Sequence, residues 1–269
     1  MKTTVEEEKS SFDPDFEIAR ISNFLRSQQE SSGAKGYVVG VSGGIDSAVV
    51  ASLCERSVGS RNVFCARLFE DFHKESQDFV DAGNIIQKLG VRSVDVSITP
   101  LVESFENILK SKNVDAGRVT MGNLKARLRM VLLYAFANQE KYLVAGTGDR
   151  SEDLIGFFTK YGDGGVDVLP IAHLYKGQVR EVGRRLGLPE GVVTKPSSPN
   201  LWKGHKATDE IPADYAVLDP IMSLLFDHST GPVEVANRTG APLSLVDEVI
   251  RKNLESRHKR SYPPMVSSW

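Results

Sequence analysis

The sequence has little cysteine, no surplus of basic charge and no long hydrophobic run. Its two cysteines, Cys54 and Cys65, lack the spacing of a metal or redox motif, which predicts buried free thiols in a reducing compartment. A formal net charge of −2 gives no bulk attraction for nucleic acid or an anionic membrane. No apolar stretch approaches the roughly 18 residues of a membrane span, and the acidic N-terminus is unlike a signal peptide. We therefore expect a cytoplasmic protein with neither nucleic acid nor a membrane as partner.

The chain instead alternates short apolar runs with helical patterns. The runs at 37–41, 62–68, 94–98 and 142–146 have the length of buried strands, and amphipathic helical patterns lie between them. This alternation predicts an α/β fold, with a doubly wound, mainly parallel, Rossmann-like sheet and helices on both faces. Patterns at 213–226 and 243–255 add a helical C-terminal segment. We expect residues 1–14 to be flexible and residues 15–269 to form a single domain.

The loop that follows the first strand has the composition of a phosphate site. It reads Gly40-Val41-Ser42-Gly43-Gly44-Ile45-Asp46-Ser47 and leads directly into a helix, whose N-terminus attracts anions. The glycines allow a close approach of the backbone to phosphate oxygens, and Asp46 can hold the Mg²⁺ that accompanies a nucleotide. A tight structural turn would explain a lone Gly-Gly pair. The full sequence of strand, loop and helix favours a polyphosphate site, although the lysine of a Walker A loop is absent.

Further motifs extend this interpretation to a family. The loop resembles that of the ATP pyrophosphatases, which split ATP into AMP and pyrophosphate to adenylate a substrate. The segments at 123–130, 146–152, 156–164, 174–178 and 258–260 resemble, in order and spacing, those of ammonia-dependent NAD synthetases, and GFFTKYGDG at 156–164 is the most specific of them. The resemblance runs from about residue 16 to about residue 260.

The resemblance implies a set of site residues. Beyond the loop at 40–47, the residues implied to bind ATP are Thr147, Lys176 and Ser198. Asp46 and Glu152 would hold Mg²⁺. Five residues are implied to bind deamido-NAD: Arg127, Lys160, Asp167, His258 and Lys259. Alignment of the loop at 196–199 from its other end would select Ser197 in place of Ser198.

Several of these residues have a structural alternative. Thr147 could be a helix N-cap, and Phe157 and Phe158 could be core residues as readily as ring-stacking ones. Arg127 lies at the rim of an apolar helix face, whereas its neighbours Lys125 and Arg129 look solvated. Lys176 begins a predicted helix, where its positive charge opposes the helix dipole.

The resemblance also implies a two-stage ligase reaction. The carboxylate of deamido-NAD attacks the α-phosphorus of ATP and expels pyrophosphate, and ammonia then displaces AMP from the acyl-adenylate to give NAD. No nucleophilic residue is predicted. Glutamine-using relatives carry an additional amidase domain that is not found in this sequence, so ammonia itself is the expected nitrogen donor. The family further suggests a homodimer.

Three other functions remain open on the sequence. A tRNA-thiolating or lysidine-forming pyrophosphatase would share the loop, but it should have a basic surface or suitably placed cysteines. A nucleotide-sensing protein would not need both Asp46 and Glu152. The segment 235–240 followed by 243–253 resembles a helix-turn-helix, although its second helix has mixed rather than basic charge.

Overall fold

A computed structural model describes residues 12–197 and 207–266 of the chain. Four strands form one sheet in the order β3-β2-β1-β4, and every neighbouring pair is parallel. The strands are β1 (Tyr37–Gly40), β2 (Val63–Phe69), β3 (Arg92–Ser97) and β4 (Leu143–Ala145). The chain builds toward one edge through β3 and then crosses back to pair β4 with β1. This reversal beside β1 is typical of a doubly wound sheet, as predicted.

The helices occupy the connections between strands and the C-terminal segment. They are α1 (Pro14–Ser32), α2 (Ile45–Val58), α3 (Gln77–Leu89), α4 (Thr99–Ser111), α5 (Arg118–Glu140), α6 (Arg150–Ile155), α7 (Lys176–Arg185), α8 (Glu190–Val193), α9 (Tyr215–Met222), α10 (Pro232–Thr239) and α11 (Leu243–Glu255). A π-helical turn, Ser223–Asp227, continues α9. Within the described residues, no helix is both long and apolar enough to cross a membrane.

The central strand β1 sends alternate side chains into two different cores. Tyr37 and Val39 pack in the larger core with residues of α1, α2, α3 and α7, whereas Val38 packs on the opposite face against α5. All three side chains are fully buried. The Tyr37 hydroxyl donates a hydrogen bond to the Leu25 carbonyl at 2.6 Å, so its one polar atom is satisfied. The sheet is therefore covered by helices on both faces, as the sequence predicts.

The C-terminal helices α9, α10 and α11 form a third core away from the sheet. Its buried residues include Leu218, Val235 and Val249, and it is completed by Leu154 and Ile155 of α6. The helical C-terminal segment is thus confirmed, and its packing fixes the position of α6. That helix carries one of the predicted metal ligands, Glu152.

The structure differs from the predicted elements at several places. Helix α4 was not predicted; it buries Val102 and leaves several apolar side chains exposed. Helix α2 begins at Ile45, ahead of the apolar run at 48–53 that predicted it. Residues 1–11 of the expected flexible segment lie outside the described residues. Helix α1 already begins at Pro14, where the Asp13 carboxylate accepts hydrogen bonds from the first backbone N–H groups.

Candidate active site

One cavity of about 410 Å³ opens at the carboxyl ends of β1, β2 and β4. Its walls include residues 40–42 after β1, Thr147 after β4, the loop at 156–159 and Lys259 from the C-terminal segment. In a doubly wound sheet, ligands bind at this edge, next to the reversal of strand order. The cavity therefore lies where the fold itself favours a ligand.

The predicted phosphate loop closes upon itself through its serines. The Ser42 backbone N–H donates to the Ser47 hydroxyl at 3.2 Å, and the Ser47 hydroxyl donates to the Gly44 carbonyl at 3.0 Å. The Gly44 N–H donates to the Ser42 hydroxyl at 3.3 Å. Gly44 is the N-cap of α2, and no described side chain caps this helix. The first N–H groups of α2 consequently have no intrahelical partner, which suits an anion.

The two glycines of the loop have different physical requirements. Gly43 has a φ of +88°, and a Cβ atom there would lie 2.1 Å from the Asp78 carbonyl oxygen. Gly44 has a φ of −84°, and a Cβ atom there would meet only the Ser42 hydroxyl, at 3.4 Å. Gly43 is therefore required by the fold, whereas Gly44 has room for a methyl group in the unliganded protein. The remaining apolar members, Val41 and Ile45, are buried core residues.

Lys176 lies at the centre of three carboxylates contributed by α2 and α6. Its Nζ atom is 2.8 Å from Asp46 Oδ2, 2.9 Å from Glu152 Oε1 and 2.9 Å from Asp149 Oδ2. The side chains of Lys176 and Asp149 are fully buried, while those of Asp46 and Glu152 are 20% and 19% exposed. The unfavourable position of Lys176 at the start of α7 is thereby explained, because three negative charges outweigh the dipole of one helix.

Burial and charge act against each other in this cluster. Burial opposes the charge of Lys176, but Asp149, Asp46 and Glu152 outweigh it and hold the pKa of the ammonium well above its usual range. Burial also raises the pKa of Asp149 to about 6, although Lys176 pulls it down. For the same reason the pKa of Glu152 is well above its usual range. When all four groups are ionised, the cluster carries more negative charge than one ammonium neutralises, so it is suited to a further cation.

The N-cap function considered as an alternative for Thr147 belongs to Asp149. The N-cap of α6 is Asp149, whose Oδ1 atom accepts the Glu152 N–H at 2.9 Å. Thr147 is therefore not the N-cap, and it lines the cavity instead. Sequence analysis missed Asp149 as a site residue. The only local signal for it is an acidic residue three positions before Glu152, which indicates a cap but not an ion pair.

Four of the five residues implied to bind deamido-NAD meet around the loop at 156–160. Arg127 donates to the Lys160 carbonyl from two guanidinium nitrogens, each at 3.3 Å. The Lys160 ammonium donates to the His258 carbonyl at 2.8 Å. Lys259 donates to the carbonyls of Gly156 and Phe158, both at 2.7 Å. The short C-terminal turn at 257–259 thus closes one end of the cavity.

The fifth residue, Asp167, lies apart from these four. Its Oδ2 atom accepts the Val144 N–H at 2.8 Å, and its Oδ1 atom accepts the Tyr134 hydroxyl at 3.0 Å. Asp167 therefore extends the hydrogen bonding of strand β4 at an exposed position. Phe157 packs partly on the C-terminal core and also lines the cavity. Phe158 lines the cavity as well, and the centre of its ring is 5.4 Å from the Lys259 ammonium nitrogen.

The loop at 195–199 is described only in part. Ser198 lies outside the described residues. The Ser197 hydroxyl is buried without a hydrogen-bond partner among the described residues. Two residues earlier, Lys195 donates to the Gly43 carbonyl at 3.1 Å and forms ion pairs with Asp78 and Asp81 at 2.6 and 2.5 Å. Lys195, which sequence analysis missed, therefore ties this loop to the phosphate loop.

The prediction that Lys125 and Arg129 are solvated is wrong. Lys125 forms an ion pair with Glu70 at 2.9 Å, with both side chains largely buried. Arg129 donates to the Leu68 carbonyl at 2.9 Å and lines the cavity, and burial lowers its pKa. Arg127, in contrast, is exposed. The partners of these two residues of α5 lie at the end of β2 and directly after it, which a helical wheel does not reveal.

Comparison of the sequence with models of protein families gives an observation that is independent of this geometry. The model described as NAD synthase matches residues 17–263. The chain belongs to the NAD synthase family. The resemblance predicted over about residues 16 to 260 is thereby confirmed.

Relatives and solved structures of the NAD synthase family match most of the chain. A protein of Hyperthermus butylicus named NH(3)-dependent NAD(+) synthetase is 47% identical over 254 residues, or 94% of this chain and 91% of the relative. The structure of NMN synthetase from Francisella tularensis has a TM-score of 0.84 and 32% identity, covering 96% of this chain and 100% of that one. The NH3-dependent NAD synthetase from Campylobacter jejuni, in complex with nitrate, has a TM-score of 0.80 and 27% identity at the same coverage. These likenesses include both the sheet and the C-terminal helices.

Proposed function

We propose that this protein is an ammonia-dependent NAD synthetase. It is a ligase that uses ATP to activate the carboxylate of deamido-NAD and ammonia to displace AMP, with pyrophosphate and NAD as the other products. The observation that carries the proposal is the shared cavity. Residues 40–42 of the phosphate loop, the loop at 156–159 and the basic residue Lys259 border the same space, so a nucleotide and a second anionic substrate can meet there.

The side chains would act mainly by positioning the substrates and neutralising their charge. The N-terminus of α2, the loop hydroxyls and Lys176 would bind the phosphates of ATP, with Thr147 and Ser198 contacting the nucleotide. Arg127, Lys160, His258, Lys259 and Asp167 would hold deamido-NAD so that its carboxylate faces the α-phosphorus. In-line transfer to a bound carboxylate needs correct orientation more than covalent help from the protein. No residue is therefore assigned as a nucleophile.

Asp46 and Glu152 are the proposed ligands of the Mg²⁺ that accompanies ATP. Asp46 Oδ1 is buried and has no hydrogen-bond partner among the described residues, so one coordinating atom is available without breaking a contact. Both carboxylates supply the hard oxygen ligands that Mg²⁺ prefers, and they lie in the first turns of α2 and α6. When bound, the ion would neutralise charge on the phosphates and the departing pyrophosphate.

A homodimer and a cytoplasmic location complete the proposal. Helix α4 exposes Leu101, Phe105 and Ile108, which lie on one helix face, and an exposed apolar stripe of this kind favours a protein partner. A second copy of the chain is the partner that the family suggests. The two cysteines are free and buried, which agrees with a reducing compartment.

Binding of DNA by the C-terminal helices has little support from the charges on α11. Arg251 forms ion pairs with Glu248 and Glu255 of the same helix, at 2.9 and 2.8 Å. Lys252 donates to the Glu210 carbonyl at 2.7 Å. Arg251 is thus neutralised by carboxylates and Lys252 is bonded to a backbone carbonyl, whereas a recognition helix presents its basic residues to phosphate.

A second candidate substrate is suggested by one structural relative. The Francisella tularensis protein is named an NMN synthetase and is 32% identical, so an amidation of the mononucleotide acid is the closest rival reaction. The higher identity of 47% to a named NAD synthetase favours the dinucleotide.

The deciding assay offers ATP, Mg²⁺ and ammonium with either deamido-NAD or nicotinic acid mononucleotide. We expect NAD, AMP and pyrophosphate in equal amounts, with a higher kcat/KM for deamido-NAD. Release of phosphate instead of pyrophosphate would refute the adenylation chemistry. A higher kcat/KM for the mononucleotide would reassign the substrate.

A further inference from the structure

The cluster around Lys176 has an unusual composition. Three carboxylates, Asp46, Asp149 and Glu152, contact one ammonium group, so the cluster has a formal charge of −2 when all four groups are ionised. That excess equals the charge of one divalent cation. The two carboxylates proposed as metal ligands are, however, two of the three that Lys176 contacts, and they are the two that remain partly exposed.

Metal binding by Asp46 and Glu152 would take both carboxylates away from Lys176. The ammonium group is fully buried, and a buried charge without a counter-ion is strongly unfavourable. Asp149 is the only member of the cluster that is both anionic and fully buried. It contacts the ammonium from the protein interior, and the ring of the buried Tyr215 lies 5.2 Å from the same nitrogen. Lys176 thus has an inner counter-ion that does not face solvent.

We propose that Asp149 is a positioning residue for the metal site. It retains the Lys176 ammonium as a neutral pair and so releases Asp46 and Glu152, with their combined charge of −2, for the divalent cation. The proposal rests on the proposed function, because it takes Asp46 and Glu152 as metal ligands. It assigns to Asp149 a task beyond the capping of α6.

The alternative is that Asp149 serves only as a helix cap. Its Oδ1 atom accepts the Glu152 N–H, and the side-chain oxygen of asparagine can do the same. Asp149→Asn therefore preserves the cap and removes the charge. In this variant, Lys176 has only Asp46 and Glu152 as counter-ions, so it should compete directly with the metal for them.

The test measures binding of Mn²⁺, in place of Mg²⁺, by electron paramagnetic resonance without ATP. We expect Asp149→Asn to bind Mn²⁺ at least about tenfold more weakly than the wild-type protein, because one nearby charge is lost and Lys176 competes for the ligands. The matched control is Asp214→Asn, a change of the same kind at the N-cap of α9, where the carboxylate accepts the Ala216 N–H. It should leave Mn²⁺ affinity unchanged.

A double variant separates positioning from a general loss of structure. Asp149→Asn combined with Lys176→Met restores the formal charge of −2 and removes the competitor, so most of the lost affinity should return. An unchanged affinity in Asp149→Asn, or no recovery in the double variant, overturns the proposal. If Asp149→Asn does not fold, Asp149→Ser, which also caps helices, takes its place in both measurements. A wild-type protein that binds no Mn²⁺ refutes the metal site itself, which is a failure of the proposed function.

Discussion

The requirement for glycine at position 43 gives a prediction that can be worked out from the structure. Gly43→Ala introduces a Cβ atom 2.1 Å from the Asp78 carbonyl oxygen and 2.7 Å from its carbon. Both are backbone atoms near the start of α3, so they cannot turn aside as a side chain would. The residue must also keep a φ near +88°, which is unfavourable for alanine.

The expected cost has two parts. A left-handed backbone conformation costs a residue with a Cβ atom roughly 1–2 kcal/mol. Displacement of packed backbone by an additional methyl group costs about 1–3 kcal/mol more. The free energy of unfolding should therefore fall by about 2–5 kcal/mol, a large part of the 5–15 kcal/mol typical of a domain. Gly44→Ala should lower it by about 1 kcal/mol or less, because φ is −84° there and only the Ser42 hydroxyl is near.

Urea denaturation of both variants, followed by circular dichroism, measures this difference. Gly44→Ala should be nearly as stable as the wild type, but calorimetry should show that it binds ATP about tenfold more weakly. The reason is that the additional methyl group occupies space needed by phosphate. If Gly43→Ala unfolds at the same urea concentration as the wild type, the close approach to Asp78 is wrong. If Gly44→Ala binds ATP normally, the loop does not hold the phosphates.

Four further predictions concern other parts of the site. Asp46→Ala and Glu152→Ala should each abolish pyrophosphate release with a native circular dichroism spectrum; activity in either variant would remove that residue from the metal site. Lys160→Ala should raise the KM for deamido-NAD about tenfold, a loss of roughly 1.4 kcal/mol, with the Kd of ATP unchanged. Lys195→Met removes the ammonium group that pairs with Asp78 and Asp81, and it should lower the free energy of unfolding by about 1–3 kcal/mol. It should also weaken ATP binding, and an unchanged Kd in calorimetry would disprove this. Phe105→Asp on α4 should convert a dimer into monomers in sedimentation analysis, and a wild-type monomer would contradict the proposed interface.

The strands and the phosphate loop were predictable because their signals are local. A short apolar run such as 37–41 has few alternatives to a buried strand, and a Gly-rich turn before a helix has few alternatives to a strand–helix junction. Helix α4 was missed although its signal is local as well, since Leu101, Phe105 and Ile108 recur at helical spacing. Its apolar side chains Leu101, Phe105 and Ile108 remain exposed, so they contribute little to the core of one chain.

The contacts of the charged side chains were not predictable because their partners are distant in sequence. Arg129 bonds to Leu68, 61 positions away, and Lys195 bonds to the Gly43 carbonyl, 152 positions away. Asp149 stands between two residues that the family motif singles out, yet its counter-ion is supplied by another helix. Sequence patterns identify side chains that can carry charge, and only the arrangement of helices determines which charges meet.

The closure of the cavity by the turn at 257–259 has a consequence for the order in which the enzyme is assembled. The contacts of Lys160 with His258 and of Lys259 with Gly156 join residues 98 and 103 positions apart. The phosphate loop, by comparison, is held mainly by bonds between residues 42 and 47. During synthesis, the contacts within the phosphate loop can form long before the contacts between residues 156–160 and residues 258–259. The latter need loop closure over a long separation in sequence, which comes late in folding. A chain released before about residue 256 would therefore have the phosphate loop without the wall that faces the second substrate.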